Sequence, residues 1–193
     1  MLPDTKEKIL SVACEIYLHA GSKGLSMRKV AEKAGISATA IYRHFESKDA
    51  LHRQVLVDGF RTFGTYLYPA LAGPDPLTRL HLAAEGFFRF ATEQSRYYEL
   101  LFLSMDCLDE AKVQAVLKRE ARQTYKFMIE RVQECMDAGV FRQDNAEEIA
   151  MLLLSVCNGF FGLYVSGKFE GSTDTMKALY ERSYQRLIHG LAV

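Results

Sequence analysis

Basic side chains are concentrated in one short stretch near the amino terminus. Between residues 22 and 53 the sequence has seven Lys and Arg residues against three acidic residues, a net charge of +4, whereas the whole chain of 193 residues is neutral. The remaining residues therefore carry a net charge of −4. Because binding to nucleic-acid phosphates requires clustered cations, this asymmetry predicts a basic binding surface on a neutral-to-acidic body.

Several side chains in this stretch are of the types that contact a DNA duplex. Arg43 can pair bidentately with a guanine, and Thr39 can contact a thymine methyl group or a phosphate. Tyr42 and His44 can donate to phosphates, and Lys48 adds a charge to a predicted helix amino terminus, which favours anions. Taken singly, each is more often a surface or packing residue, so only their joint arrangement favours DNA binding. The predicted DNA-contacting residues are Ser26, Arg28, Ser37, Ala38, Thr39, Tyr42, Arg43, His44 and Lys48.

Two short helices joined by a tight turn are predicted to position these side chains. Ser26 can cap a helix over residues 27–34, and Gly35 tolerates the left-handed conformation that a tight turn needs. Ser37 can then cap a third helix over residues 38–45. Two short helices separated in this way are typical of a helix-turn-helix motif.

The rest of the chain also shows the apolar periodicity of helices, with four prolines and no strand pattern. A cluster of Pro and Gly between Pro69 and Pro76 marks the clearest break after the fourth helix has begun. We therefore expect an all-α protein. The further helices are predicted over residues 4–20, from 48 to beyond 60, over 77–93, 97–105, 110–136 and 146–167, and from the residue after Ser172 to about residue 189.

The stretch SMRKVAEKAGISATAIYRHFESKDAL, residues 26–51, resembles the DNA-binding signature of the TetR/AcrR family of transcriptional regulators. The resemblance implies a three-helix, helix-turn-helix DNA-binding domain over residues 1–50 and a helical-bundle domain for ligand binding and dimerisation over residues 51–193. It also implies a homodimer on a palindromic double-stranded DNA operator, and we expect a repressor released by a small-molecule effector. Lys29 and the pair Thr39-Ala40 depart from the family pattern, so operator specificity cannot be transferred from other members.

Aromatic and methionine side chains are frequent in the predicted body. At helical spacing such residues usually form a packed core, although a helical bundle is also where apolar ligand sites are built. The family resemblance implies a pocket between the fourth to eighth helices, which in this chain would be apolar and aromatic. The predicted ligand-binding residues are Phe87, Phe90, Phe102, Met105, Phe127, Met128, Phe161 and Tyr164.

No charged residue lies between Glu148 and Lys168, and an apolar stretch of this length could span a bilayer. Polar and glycine residues interrupt it and no Lys/Arg cluster flanks it, so we favour a helix buried by its own core and a symmetric partner. The resemblance implies the same, with the last two helices of each subunit forming the dimer interface. Since the amino-terminal sequence lacks the apolar core of a signal peptide, we expect a cytoplasmic protein with no membrane partner.

No residues show the spacing of a catalytic or metal site. The five histidines lie far apart and the four cysteines form no CxxC pair, so we expect no enzyme, cofactor or metal. The cysteines are interpreted as small apolar core residues, with a redox-sensing thiol as the alternative. A small-molecule enzyme would need a visible nucleophile–base pair, and a DNA-bending protein would need basic charge along the whole chain.

Overall fold

The computed structural model describes residues 5–103 and 111–193, which fold almost entirely into helices. The α-helices are α1 Thr5–Gly24, α2 Met27–Ala34, α3 Ala38–Tyr42, α4 Lys48–Leu67, α5 Pro76–Glu93, α6 Ser95–Tyr98, α7 Ala111–Asp137, α8 Ala146–Val165 and α9 Thr173–Leu191. A 3-10 helix, Tyr68–Ala72, follows α4, and a π-helical turn, Glu99–Leu103, follows α6. Apart from an isolated bridge between Phe141 and Ala192, these ranges contain no β-structure, so the prediction of an all-α fold is confirmed.

The chain divides into two compact units. The first comprises Met1–Arg61 and Arg96–Ala121, and the second comprises Thr62–Ser95 and Arg122–Val193. The first unit is therefore assembled from two separate stretches of sequence. The functional boundary expected between residues 50 and 51 stays a prediction.

The core of the first unit is built from apolar residues at helical spacing. On α1, Ile9, Ala13 and Tyr17 recur every four residues and are all buried. Residues at this spacing share one face of a helix, so the stripe faces the core. The same cluster includes buried residues of α2, α3, α4, the π-helical turn and the loops that precede α2 and follow α3, namely Leu25, Met27, Val30, Ala31, Ile41, Phe45, Leu51, Val55, Leu56 and Leu100.

Serine side chains cap the first turns of α2, α3 and α4. The Oγ atoms of Ser26, Ser37 and Ser47 accept hydrogen bonds from the backbone N–H three residues further on, at 3.2, 3.1 and 3.1 Å. Each bond gives a partner to an N–H that the helix itself leaves unbonded. The caps predicted at Ser26 and Ser37 are therefore confirmed.

Gly35 makes the turn between α2 and α3. Its φ of 66° lies in the left-handed region, which glycine adopts without a Cβ penalty. The N–H groups of Gly35 and Ile36 donate to the carbonyls of Glu32 and Ala31, at 3.2 and 3.0 Å. These bonds close the carboxyl end of α2 in the way that a left-handed cap does.

The third helix is shorter than predicted. It ends at Tyr42 rather than at residue 45, because the N–H groups of His44 and Phe45 both donate to the carbonyl of Ile41, each at 2.9 Å. This doubly used carbonyl tightens the last turn, as is common at helix ends. Phe45 nevertheless remains buried, so the shorter helix keeps its expected contact with the core.

The short helix α6 packs on α1 and α4 within the first unit. The Tyr97 hydroxyl donates to the Asp58 carboxylate at 3.0 Å, and Arg96 contacts His19 of α1. A Cβ at Gly59 would lie only 2.9 Å from the Tyr97 ring, so the glycine permits this close approach. These contacts join the two sequence stretches of the first unit, Met1–Arg61 and Arg96–Ala121.

An aromatic cluster forms the core of the second unit. The ring centroid of Phe161 on α8 lies 5.7 Å from that of Phe87 and 5.4 Å from that of Phe88, both on α5. Phe88 also lies 5.4 Å from the ring of Tyr180 on α9. Such tilted contacts are favourable arrangements for aromatic pairs, and they join α5, α8 and α9.

Helix α8 has an apolar face that the other described residues leave exposed. Met151, Leu152 and Leu163 are 50%, 43% and 51% exposed, and a Cβ added at Gly159 or Gly162 would meet nothing within 4 Å. By length and composition alone, α8 is apolar enough to cross a membrane, and 28% of its most apolar window is buried. A buried helix of a soluble protein passes the same test.

An ion-pair network connects α5 to α7 within the second unit. The Glu134 carboxylate accepts hydrogen bonds from Arg79 at 2.9 Å and from Arg131 at 2.6 and 3.2 Å. The Arg131 side chain is only 6% exposed, and its guanidinium lies over the Phe127 ring at 4.6 Å. Partial burial raises the pKa of Glu134, but the hydrogen bonds and charges of the two arginines outweigh it and lower the pKa below its ordinary value of 4.5.

Replacing this carboxylate should change stability in a pH-dependent way. Because the folded pKa of Glu134 is depressed, its contribution to the free energy of unfolding is present above pH 4.5 and is lost as pH falls through the folded pKa. We expect Glu134→Gln to lower the unfolding free energy at neutral pH and to lower it less in acid, as measured by urea denaturation. Glu170→Gln, at an exposed carboxylate outside the network, is the control. An equal cost of Glu134→Gln at both pH values would contradict the assignment.

Candidate nucleic-acid interface

One face of α3 and the turn after it is exposed to solvent. Ala38, Thr39, Tyr42, Arg43 and His44 are all exposed, with Tyr42 at 54%. The opposite side consists of the buried Ile41 and Phe45. The predicted base-facing side chains therefore share one accessible surface, here called the α3 face and defined by these five residues.

Several cations of the basic stretch have no ion-pair partner among the described residues. Arg43 is part of the α3 face, Arg28 and Lys29 belong to the first turn of α2, and Lys48 begins α4. Two other cations of the basic stretch are engaged, since Lys33 pairs with Glu15 at 2.6 Å and Arg53 pairs with Glu46 at 3.7 Å. Unpaired cations can neutralise phosphates without first giving up a protein partner.

The capping serines can also serve a phosphate. Ser26 and Ser37 use their oxygens to accept the capping hydrogen bonds, which leaves the hydroxyl hydrogen of each free to donate. Lys48 is the first residue of α4, where the partial positive charge of the helix amino terminus adds to its own charge. The chemistry of this surface therefore matches a polyanion with closely spaced phosphates.

The described residues that were predicted to bind a ligand are divided between the two units. Phe87, Phe90, Phe127, Met128 and Phe161 are buried in the second unit, where the aromatic ones contact other rings. Phe102 belongs to the first unit, where its ring lies 5.4 Å from Tyr98. Tyr164 is half-buried, with its hydroxyl 3.2 Å from that of Thr173. Met105 lies outside the described residues.

A groove of about 470 Å³ lies elsewhere in the second unit, between α5 and α9. Phe88, Tyr180 and Tyr184 contribute to its lining, and none of the predicted ligand-binding residues does. The groove could not be predicted from the sequence, because an apolar stripe that forms a core and one that lines a groove have the same periodicity.

The described cysteines are buried, with no disulfide between them. Burial raises the pKa of the Cys14 and Cys135 thiols to about 11 and that of Cys157 to about 12. Such thiols react slowly, which agrees with their interpretation as core residues. Cys107 lies outside the described residues. In the described ranges, no group of His, Cys, Asp and Glu is arranged to hold a metal ion.

His52 is a buried titratable residue that sequence analysis missed. It is 7% exposed, its ring lies 4.6 Å from that of Tyr17, and its Nε2 has no hydrogen-bond partner in the described structure. Burial lowers its pKa, and the charges of Lys48 and Arg53 lower it further, while Asp49 opposes them. A signal was present in the sequence, because His52 precedes the buried Val55 and Leu56 by three and four positions on α4.

The comparisons with known proteins agree with this geometry. Residues 9–55 match the family described as bacterial regulatory proteins, tetR family, and residues 80–189 match the tetracyclin repressor-like C-terminal domain. The second match covers more than half of the chain, and the first includes α2, α3 and the α3 face. The chain belongs to the TetR family and is a transcriptional regulator of that family.

Two named regulators and one solved structure illustrate what this chain is similar to. The activator FasR of Mycolicibacterium smegmatis is 31% identical over 116 residues, which are 60% of this chain but only 52% of FasR. The repressor KstR2 of the same organism is 27% identical over 161 residues, which are 75% of this chain and 74% of KstR2. A transcriptional regulator of Saccharomonospora viridis, solved in complex with choline, has 18% identity, a TM-score of 0.81 and 97% coverage of both chains. At 18% identity, this structural similarity shows a shared fold only.

His52 should make the stability of the protein depend on pH in mild acid. Since its folded pKa lies below the ordinary value of 6.5, the unfolded chain binds the proton first as pH falls. The unfolding free energy should therefore decrease from about pH 6.5 down to the folded pKa and then level off.

The measurement is urea denaturation of wild type and His52→Gln on both sides of pH 6.5. We expect the wild type to lose more stability on acidification than His52→Gln does. His44→Gln, at an exposed histidine in the same unit, should behave like the wild type. Identical pH profiles for wild type and His52→Gln would refute the assignment.

Proposed function

We propose that this chain is a ligand-responsive repressor that binds a palindromic DNA operator as a homodimer in the cytoplasm. The observation that carries the proposal is the α3 face, an exposed surface that includes the unpaired Arg43 and belongs to the same unit as the unpaired Arg28, Lys29 and Lys48. The alignment with KstR2, named a repressor, covers 75% of this chain and 74% of KstR2, whereas the alignment with FasR, named an activator, covers 60% of this chain and 52% of FasR. This balance supports repression.

The proposed contacts follow from the chemistry of the exposed side chains. With α3 in the major groove, Arg43 pairs with the O6 and N7 atoms of a guanine, and Thr39 contacts a thymine methyl group. Ser26, Arg28 and Lys48 bind the flanking phosphates and so fix the position of the helix. Ser37, Ala38, Tyr42 and His44 complete the proposed contact set. In a symmetric dimer two such surfaces bind half-sites about one helical turn, roughly 34–36 Å, or a multiple of it apart.

Two substitutions should separate base recognition from phosphate binding. Arg43→Ala should lower operator affinity by about 1–3 kcal/mol and affect non-specific binding less, because it removes a base contact. Lys48→Ala should weaken binding to operator and to a scrambled duplex alike, and reduce the salt slope by about one unit. Fluorescence-anisotropy titrations at several salt concentrations measure both, with an operator found by footprinting the DNA upstream of the gene.

Arg53→Ala is the matched control, since Arg53 lies in the same unit and pairs with Glu46. It removes the same charge as Arg43→Ala does and should change operator affinity little. Equal losses for the two arginine variants would show that net charge alone drives binding. Footprinting that finds no reproducible site would remove the proposal of a specific operator.

The homodimer is proposed from the uncovered face of α8. Exposed Met151 and Leu163 and the open space at Gly159 and Gly162 form a surface that a symmetric copy can cover. Small residues allow two helices to approach closely, and an isologous pair is the commonest form of oligomer. Cover by a partner also accounts for the apolar length of α8 without a membrane.

A charge on this face should separate the subunits. We expect Gly159→Asp to sediment as a monomer at micromolar concentration and to lose operator binding, because two half-sites must be held by one dimer. Circular dichroism checks that the helices remain. Gln123→Asp introduces the same carboxylate at an exposed position of α7 and should stay dimeric. A wild-type chain that is monomeric yet binds its operator tightly would contradict the proposal.

An apolar or aromatic effector is proposed to release the operator. The support is the apolar character of the second unit around Phe87, Phe90, Phe127, Met128 and Phe161. An effector acts only through different affinities for two shapes of the dimer, and coupling of about 1–3 kcal/mol is typical. Calorimetry of a candidate effector with and without operator tests this, since operator must weaken effector binding by the same factor. Equal affinities would exclude that compound as the effector.

A further inference from the structure

The groove between α5 and α9 lies within the second unit and has the size of a small-molecule site. Its volume of about 470 Å³ falls within the range of roughly 300–1,000 Å³ that is usual for ligand pockets. Ala84 and Phe88 line it from α5, and Tyr180 and Tyr184 line it from α9. All four are at least 95% buried, so they form a fixed floor rather than a loose surface.

The floor is apolar and has no free hydroxyl group. The Tyr180 hydroxyl donates to the backbone carbonyl of Ala84 at 3.0 Å, and the Tyr184 hydroxyl donates to that of Leu80 at 3.4 Å. The two tyrosine rings are stacked, with centroids 6.2 Å apart and planes inclined by 24°. A flat apolar body can lie against such a floor without leaving a buried polar atom unsatisfied.

The rim of the groove has an excess of positive charge. Lys177 and Glu181 lie 3.8 Å apart and largely compensate each other. Arg182 and Arg186, which also line the groove, are one helical turn apart on α9 and form no ion pair within residues 5–103 and 111–193. With Glu85 as the other acid, the lining has three cations against two carboxylates, a net charge of +1.

The histidine of the groove does not add to this charge at neutral pH. Burial lowers the pKa of His81, which contacts Gln185 across the groove at 3.3 Å. The charge available to a ligand therefore comes from the two arginines. Guanidinium groups form strong, directional hydrogen bonds with planar and tetrahedral anionic groups.

We propose that this groove binds an organic anion with a flat apolar body. The body lies on the floor formed by Phe88, Tyr180 and Tyr184, and the anionic end binds Arg182 and Arg186. The site shares no residue with the set proposed above for the effector, and the proposal does not depend on DNA binding.

Two fluorescent probes that differ only in the anionic group test the proposal on the full-length protein. Anilinonaphthalene sulfonate has a flat aromatic body and a sulfonate, and N-phenylnaphthylamine has the same body without it. We expect saturable binding of one sulfonate probe per chain and about tenfold weaker binding of the neutral probe, which lacks the charge-assisted contacts.

Variants of the groove then locate the bound probe. The double variant Arg182→Gln and Arg186→Gln should weaken the sulfonate probe by about tenfold and leave the neutral probe unchanged. Gln185→Trp, at an exposed lining residue, should fill the groove and weaken both probes. Arg122→Gln, at an exposed arginine of α7 outside the groove, is the matched control and should bind both probes as wild type does.

Folding and assembly are checked for every variant by thermal melting and sedimentation, so that a lost dimer is not mistaken for a lost site. The proposal is overturned if the sulfonate probe fails to bind, or if it binds the double arginine variant and Gln185→Trp as tightly as wild type. Operator titrations of the same variants are independent. Wild-type probe binding in a chain that binds no operator would contradict the proposed function and leave the groove site intact.

Discussion

The burial of Ile41 and Phe45 is the interaction on which the α3 face depends. Helix α3 has only five residues, and a peptide of that length does not keep a helical conformation in water by its own hydrogen bonds. Its orientation is therefore imposed by two apolar side chains in the core of the first unit. With that side fixed, Thr39 and Arg43 can only face outward. Recognition chemistry on this surface thus depends on packing on the opposite side of the same helix.

Local signals were sufficient for most of the fold. The serine caps, the left-handed turn at Gly35 and the proline-rich break before α5 each act over a few residues, so they can be found in the sequence. The prediction for α5 began one residue late, and the one for α8 extended two residues too far. The exposed side of α3 could also be predicted, because apolar residues at helical spacing define the buried side and leave the opposite side to solvent.

Features that join distant residues could not be predicted in this way. Arg131 and Glu134 are three residues apart and look like an ordinary surface pair, whereas Arg79 reaches the same carboxylate from another helix. The contact of Tyr97 with Asp58 likewise joins separate stretches of the first unit. The α5–α9 groove depends on how two helices diverge, which periodicity does not report. His52 is a different case. Its spacing from Val55 and Leu56 predicts a buried position on α4, but histidine is a polar residue type and so was not expected to be buried.

The discontinuity of the first unit limits how this regulator can be recombined. The recognisable signature ends near Leu51, but the compact unit that contains it also needs Tyr97 and Leu100 from a later part of the chain. A chimera joined after Arg61 to the body of another family member would leave Asp58 without its tyrosine and expose the apolar surface that Leu100 covers. The compact unit that must be transferred intact is therefore longer than the signature, residues 26–51, by which it is recognised. Exchange of specificity between relatives should transplant α6 together with the amino-terminal helices.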